Sequence, residues 1–212
     1  MCMCSRNHTN HGGCSGCMSE CGSRCFSLGP FRGVRPGCSA LPNTGSIIPF
    51  SSGITPVTLT TVVGGTVSLP TLIGFGTATA PGVAIVDNVL DLTGVPLNEA
   101  FSVPRNGNIT AISASFTATA PVDVSGTATV TAQVYRAPAG SSVFTATNAV
   151  VNLSPSFTGL LAVGDTASGS ANVAPVPVTQ GDRLVMVYTI AGTGITVATP
   201  ITGNASAGIT IS

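Results

Sequence analysis

Lysine and tryptophan are absent from this chain of 212 residues, and its two histidines, His8 and His11, both lie near the N-terminus. There is no cysteine after Cys38. The long segment that follows therefore has no imidazole, ammonium or thiol that could act as a general base, Schiff-base amine or nucleophile. This excludes most enzyme mechanisms, and we expect a protein that is not an enzyme and uses no cofactor.

Charge is also scarce, because charged residues make up 7% of the chain against about 25% in a typical soluble protein. The seven arginines are balanced by seven acids, and a net charge near zero favours association between molecules. The arginines are scattered and form no basic stripe, so nothing is placed to neutralise a run of phosphates. We therefore expect no nucleic-acid partner.

Long hydrophobic runs are missing as well. No segment reaches the roughly 20 apolar residues that a membrane-spanning helix needs. The opening residues Met1 to Arg6 lack the apolar stretch of a secretory signal. We expect no membrane association and no export by the general secretory route.

Six acids occur after the cysteines, and a hydrolytic carboxylate pair or a calcium site among them is one alternative to a non-enzymatic role. Three of them stand beside turn residues, where aspartate commonly caps a loop. We interpret these three as solvated turn residues: Asp123, Asp165 and Asp182. The other acids are Asp87, Asp91 and Glu99.

All the cysteines lie in the first 38 residues: Cys2, Cys4, Cys14, Cys17, Cys21, Cys25 and Cys38. Their number is odd, so oxidation within one chain leaves at least one thiol for another molecule. Four of them, preceded by His8 and His11, form a Cys-x2-Cys-x3-Cys-x3-Cys series that starts at Cys14. Zinc sites favour paired ligands separated by a longer loop, which is missing here. We favour disulfides, some between subunits, over zinc or reduced structural thiols.

The composition divides the chain into an irregular cysteine-rich arm and linker, residues 1–44, and a body, residues 45–212. From Ile47 onward valine, isoleucine and threonine dominate, and glycine and proline recur at intervals of roughly 8 to 12 residues. No helical period is visible. The pattern predicts an all-β body with the antiparallel strands of a jelly-roll-like β-sandwich.

The clearest strand covers residues 128–135, where apolar and polar side chains alternate. In residues 109–117 the apolar positions change phase between Ala111 and Ile112, which predicts a β-bulge. The other predicted strands are 57–63, 67–73, 83–92, 100–103, 143–153, 160–163, 184–190 and 205–211.

Residues 184–190 do not alternate, because both faces of this strand are apolar. An antiparallel strand normally exposes one face to water, so something must cover the second face. The alternatives are a long loop of the same chain and another subunit. We favour another subunit, and the predicted interface is Leu184, Val185, Met186, Val187, Tyr188 and Ile190.

Several segments in order carry a family resemblance: IIPFSSG (47–53), TPVTLTTV (55–62), LIGFG (72–76), AFSVPRNGNIT (100–110), VTAQVY (130–135), GDRLVMV (181–187) and ASAGI (205–209). They resemble the BclB-type exosporium glycoprotein C-terminal domain. The resemblance implies a compact β domain that trimerises, without catalytic residues, in the outermost spore layer of Bacillus or Clostridium relatives. It also implies synthesis in the mother-cell cytoplasm.

The family usually carries this domain on a collagen-like stalk, whereas here the cysteine-rich arm takes that place. We therefore expect a structural, self-assembling subunit of a spore-surface layer or appendage fibre, with intersubunit disulfides in the arm. Its expected partners are further copies of itself, as a trimer, and other spore-surface proteins. The alternative is a trimeric adhesin or receptor-binding module at the spore tip.

Overall fold

A computed structural model describes residues 26–28, 31–33, 45–64, 67–96 and 99–212. The chain divides into two compact units, Met1–Thr44 and Gly45–Ser212. In the first unit, two short strands, β1 (Phe26–Leu28) and β2 (Phe31–Gly33), pair in antiparallel fashion. The composition of this segment predicts an irregular arm, and nothing in its pattern predicts the pair.

Every regular element in the described part of the second unit is a strand, which confirms the all-β prediction. None of the described residues belongs to a helix that could cross a membrane. The strands are β3 (Ser46–Ser51), β4 (Val57–Thr60), β5 (Thr71–Ile73), β6 (Ala78–Thr79), β7 (Val89–Asp91), β8 (Phe101–Ser102), β9 (Gly107–Ala118), β10 (Val122–Ala137), β11 (Val143–Asn152), β12 (Phe157–Leu161), β13 (Thr166–Val178), β14 (Arg183–Thr193) and β15 (Pro200–Ile211).

These strands form two antiparallel sheets. The larger sheet has the order β6-β5-β14-β10-β11-β7, with β12 also paired to β10 and β8 to β14. The smaller sheet has the order β13-β9-β15-β3, with β4 also paired to β15. Buried side chains from both sheets form one main core between them, so the predicted antiparallel sandwich is confirmed.

Alternation along the strands builds this core. On β9, Ile112 and Phe116 are buried while Ser113 between them is exposed. Each large apolar side chain removed from water contributes roughly 1.5–3 kcal/mol. Tyr188 of β14 is also fully buried, and its hydroxyl donates a hydrogen bond to the Ser206 carbonyl oxygen at 2.7 Å. The hydroxyl thus joins the larger sheet to the smaller one through the core.

The predicted β-bulge is present on β9. Thr210 pairs with Ala111, but the next residue of β15, Ile211, pairs with Ile109. Thr110 is therefore the extra residue, close to the predicted change of phase. Ile109 and Ile112 are both buried because this insertion shifts the alternation.

Strand β14 has two buried faces, as its sequence indicates. Leu184, Met186, Tyr188 and Ile190 face the main core. Their neighbours Val185 and Val187 belong to a second apolar cluster on the opposite face of the larger sheet. The other buried members of this cluster are Leu72, Leu90, Leu92, Tyr135, Ala137 and Phe144.

The same chain supplies the cover of this second cluster. Leu90 and Leu92, with the partly buried Val83, Ile85 and Val95, lie in residues 83–95, which we call the cover segment. The predicted subunit interface on β14 is therefore wrong, because the chain itself buries all of its residues: Leu184, Val185, Met186, Val187, Tyr188 and Ile190. A loop of the same chain, the alternative explanation, accounts for the second apolar face.

Candidate subunit interface

The predicted cross-linking and zinc residues lie outside the described part of the chain: Cys2, Cys4, His8, His11, Cys14, Cys17, Cys21, Cys25 and Cys38. Disulfides, zinc and free thiols therefore remain predictions for the arm. The described residues contain no group of three histidine, cysteine, aspartate or glutamate side chains close enough to hold a metal ion.

Most acids of the body serve local structure. The Asp91 carboxylate accepts a hydrogen bond from the Thr93 N–H at 2.9 Å, and Asp165 accepts one from the Ala162 N–H at 2.7 Å. Hydrogen bonds from the side chain and from the backbone N–H of Thr93 lower the pKa of Asp91. These contacts are those of turn residues.

Asp182 differs from the predicted solvated turn residue, because it is buried, with 2% of its surface exposed. Its carboxylate accepts hydrogen bonds from Arg136 Nε at 2.8 Å and from the Thr179 N–H at 2.7 Å. Arg136 also donates to the Pro177 carbonyl oxygen at 3.0 Å. Burial raises the pKa of Asp182, but the Thr179 hydrogen bonds and the Arg136 charge outweigh it, so the pKa is lowered.

We expect Asp182→Asn to destabilise the body by about 2 kcal/mol at pH 7, the usual value of a hydrogen bond to a charged group. Because the folded pKa lies below the unfolded value of about 4, the carboxylate stabilises the fold above pH 4. That contribution disappears as the pH falls through the folded pKa. Urea unfolding at pH 7 and at pH 3 checks this.

The exposed Asp123 provides the matched control, and Asp123→Asn should change the unfolding free energy by less than about 0.5 kcal/mol at either pH. A loss for Asp182→Asn that is equally large at pH 3 and pH 7 would contradict the role of the charge. It would leave only the shape of the side chain to explain the effect.

The outer face of the smaller sheet consists mainly of small hydroxyl-bearing and amide residues, with a few apolar ones, and carries no charge. We call it the hydroxyl face. Its outward positions follow from the strand register and from exposure. They are Thr166, Ser168, Ser170 and Asn172 on β13; Ala111, Ser113, Ser115 and Thr117 on β9; Asn204, Ser206, Gly208 and Thr210 on β15; and Ile47, Pro49 and Ser51 on β3.

Hydroxyl groups on this face bond to one another across strands. Three pairs of side-chain oxygens lie within hydrogen-bond distance: Ser113 and Ser170 at 2.8 Å, Ser115 and Ser206 at 2.9 Å, and Thr117 and Thr166 at 2.8 Å. Because each pair meets part of its own hydrogen-bonding need, the face loses less on leaving water than the same hydroxyls would lose separately.

Two adjoining shallow depressions lie on the hydroxyl face, with volumes of about 330 and 620 Å³. They share Ser113, Ser170 and Gly208, which occupy one cross-strand row at the centre of the face. Ile47, with 76% of its surface exposed, lines the first depression. The face can therefore accept a broad, smooth partner surface in close contact.

Among the residues whose side chains the structure describes, two charged ones stand at the ends of the hydroxyl face. Arg105 precedes β9 and donates a hydrogen bond to the Ser46 hydroxyl at 3.2 Å. Asp165 precedes β13, and because β9 and β13 are antiparallel it lies at the opposite end. This face is not among the predicted sites, although the alternation of Ser113, Ser115 and Thr117 signals an exposed polar row.

Comparison with known proteins finds a similar chain. The protein is 32% identical over 181 residues to Collagen-like protein 1 of Acanthamoeba polyphaga mimivirus. The aligned region covers 80% of this chain and 19% of the viral protein, so the chain spans about a fifth of that relative. No protein-family model matches. The similarity indicates a domain associated with collagen-like proteins, and the more specific BclB-type assignment remains a prediction.

Proposed function

We propose that this chain is a non-enzymatic structural subunit that assembles with copies of itself on a bacterial spore surface, in a layer or an appendage fibre. The observation that supports this most directly is the similarity to a collagen-like protein over 80% of the chain. A collagen triple helix winds three chains together. A domain associated with such chains is held beside two copies of itself, and we propose a trimer.

The arm supplies the covalent part of the proposed assembly. A disulfide that closes a long loop contributes typically 2–4 kcal/mol, and a disulfide between subunits makes dissociation depend on reduction as well as on concentration. The body contains no cysteine, so its own packing must hold it together. Synthesis in the mother cell followed by oxidation on the spore surface fits this division.

The side-chain inventory of the body supports a structural role. Apart from two buried tyrosines, its ionisable side chains are three arginines and six acids, and the described contacts of Asp91, Asp165 and Asp182 are structural. A receptor-binding module would present exposed aromatic and arginine anchors. Of the phenylalanines whose side chains are described, only Phe75 is largely exposed, and its ring rests against Phe50 and Phe101. The adhesin alternative has less support for this reason.

The body without the arm should still associate. We expect light scattering on the fragment Gly45–Ser212 to give a mass that is a multiple of three chains at micromolar concentration. The full chain in reductant serves as the control, and its mass should also be a multiple of three chains. A fragment that stays monomeric while folded would contradict the proposed trimer and place all association in the arm.

A further inference from the structure

We propose that the hydroxyl face is a docking surface for a second copy of this chain, and that it joins two bodies face to face by a two-fold contact. The inference rests on the proposed function and adds to it, because the contact would connect trimers into a larger assembly. It assigns that contact to the outer face of the smaller sheet.

Gly208, at the centre of the face, has no evident role in the fold. A Cβ built at this position meets only the Ile48 carbonyl oxygen, at 3.9 Å, which is an ordinary contact. On the same strand, a Cβ at Gly203 would lie 2.6 Å from the Phe116 ring, so packing requires that glycine. A glycine inside a strand weakens it and often marks a close approach of another backbone. The fold therefore leaves space above Gly208 in which the backbone of another molecule can approach closely.

The absence of charge on the face suits a second copy of the same surface. In a two-fold contact the residues near the axis meet their own counterparts in the partner, so a charged cluster at the centre of the face would meet like charge. The described charged side chains of the body all lie off this face. The cross-strand pair of Ser113 and Ser170 also reduces the cost of removing hydroxyls from water.

Charges at the ends of the face select one orientation. A two-fold axis that runs across the strands reverses their direction in the second copy. Arg105 is bonded to Ser46 on the β3 side of the sheet and Asp165 stands on the β13 side, so an axis tilted away from the perpendicular to the strands brings Arg105 of one copy to Asp165 of the other at both ends of the contact. Such exposed pairs contribute little energy, but they set the register of the two surfaces.

The size of the face is sufficient for a stable contact. Strands β9 and β15 have 12 residues each, which at about 3.3 Å per residue gives a length of about 40 Å. Three strands of about this length and β3, which has 6 residues, spaced about 4.8 Å apart, give an area of about 670 Å² per copy. This lies within the roughly 600–1,000 Å² that each partner buries in a standard interface.

The test uses the full chain in reductant, with the variant Gly208→Arg. Because the space around Gly208 is open, the variant should keep the circular dichroism and melting temperature of the wild type. The arginine separates the two faces, so the dissociation constant of the face-to-face contact should rise at least tenfold. Sedimentation should then show the wild-type mass reduced by half, to single trimers.

Two further variants keep the result interpretable. Ser170→Arg changes an exposed position of the same face on β13 and should also halve the mass. Val150→Arg places the same charge on β11, in the other sheet, and should leave the mass unchanged.

Folded Gly208→Arg and Ser170→Arg proteins with the wild-type mass would overturn the assignment of the face. A wild-type protein that remains a single trimer would overturn the pairing, whatever else the face binds, and would leave the proposed function intact. A monomeric wild-type protein would instead remove the proposed function together with this inference.

Discussion

Without reductant, the full chain should migrate as a ladder of covalent multimers in denaturing electrophoresis, and reductant should collapse the ladder to one band. Removal of residues 1–38 should abolish the ladder, because no cysteine remains. The physical reason is that an odd number of thiols lies in one segment. Buried structural cysteines would instead be distributed among the strands, where they usually pack as small hydrophobes. The expected effect is a complete loss of covalent species.

A chain with serine at every cysteine provides the matched control, since it keeps the arm and loses only the thiols. It should give no ladder and should still associate through the body. Mass spectrometry would contradict the prediction if it found one zinc per chain, free thiols and no disulfide-linked peptides from two subunits. That result would refute disulfides between subunits and support a zinc site that includes Cys14 and Cys17.

The second large effect concerns Val187. We expect Val187→Asp to prevent the body from folding, because Val187 is 1% exposed and lies in the second apolar cluster. An unpaired carboxylate buried there costs about 5 kcal/mol or more, against a total stability of typically 5–15 kcal/mol. Circular dichroism and urea unfolding of the fragment Gly45–Ser212 measure the loss.

Val150→Asp is the control, because Val150 on β11 is 37% exposed and its new carboxylate can reach water. It should change the unfolding free energy by less than about 1 kcal/mol. If Val187→Asp instead gave a folded body that had only dissociated from its partners, the cover segment would not bury this face. The predicted subunit interface on β14 would then have to be restored.

The elements with strong alternation could be predicted from the sequence. Residues 128–135 lie within β10, and the apolar run 184–190 lies within β14. The same run led to the wrong prediction of a subunit interface. Its two apolar faces show that something covers it, but they do not show whether the cover is another subunit or the cover segment, which precedes it by about a hundred residues.

Strand β13 was missed because it has little to bury. Its sequence TASGSANVAPVPV offers only Ala167, Val176 and Val178 as fully buried side chains, and two prolines interrupt the valines near its end. Proline is tolerated there because β13 is an edge strand of the smaller sheet. Pairing with β9 thus decides the structure of a segment whose own residues resemble a loop.

Long-range neighbours explain the remaining differences at the candidate sites. Asp182 is followed by a strand and preceded by a turn, which fits a solvated cap, but its partner Arg136 lies 46 residues earlier. The hydroxyl face also depends on residues distant in the sequence, because Ser113 and Ser170 meet only when β9 and β13 pair. Sequence patterns reveal which side of a strand is polar, and only the register shows which polar groups stand together.

The fluorescence of the two tyrosines can report on the two apolar cores separately. The chain has no tryptophan, Tyr188 lies in the main core, and Tyr135 lies in the second cluster. Burial raises the pKa of both phenols, so alkaline ionisation of each one is delayed until its surroundings open. With either tyrosine replaced by phenylalanine, the fluorescence of the remaining one follows the opening of the sandwich or of its cover separately.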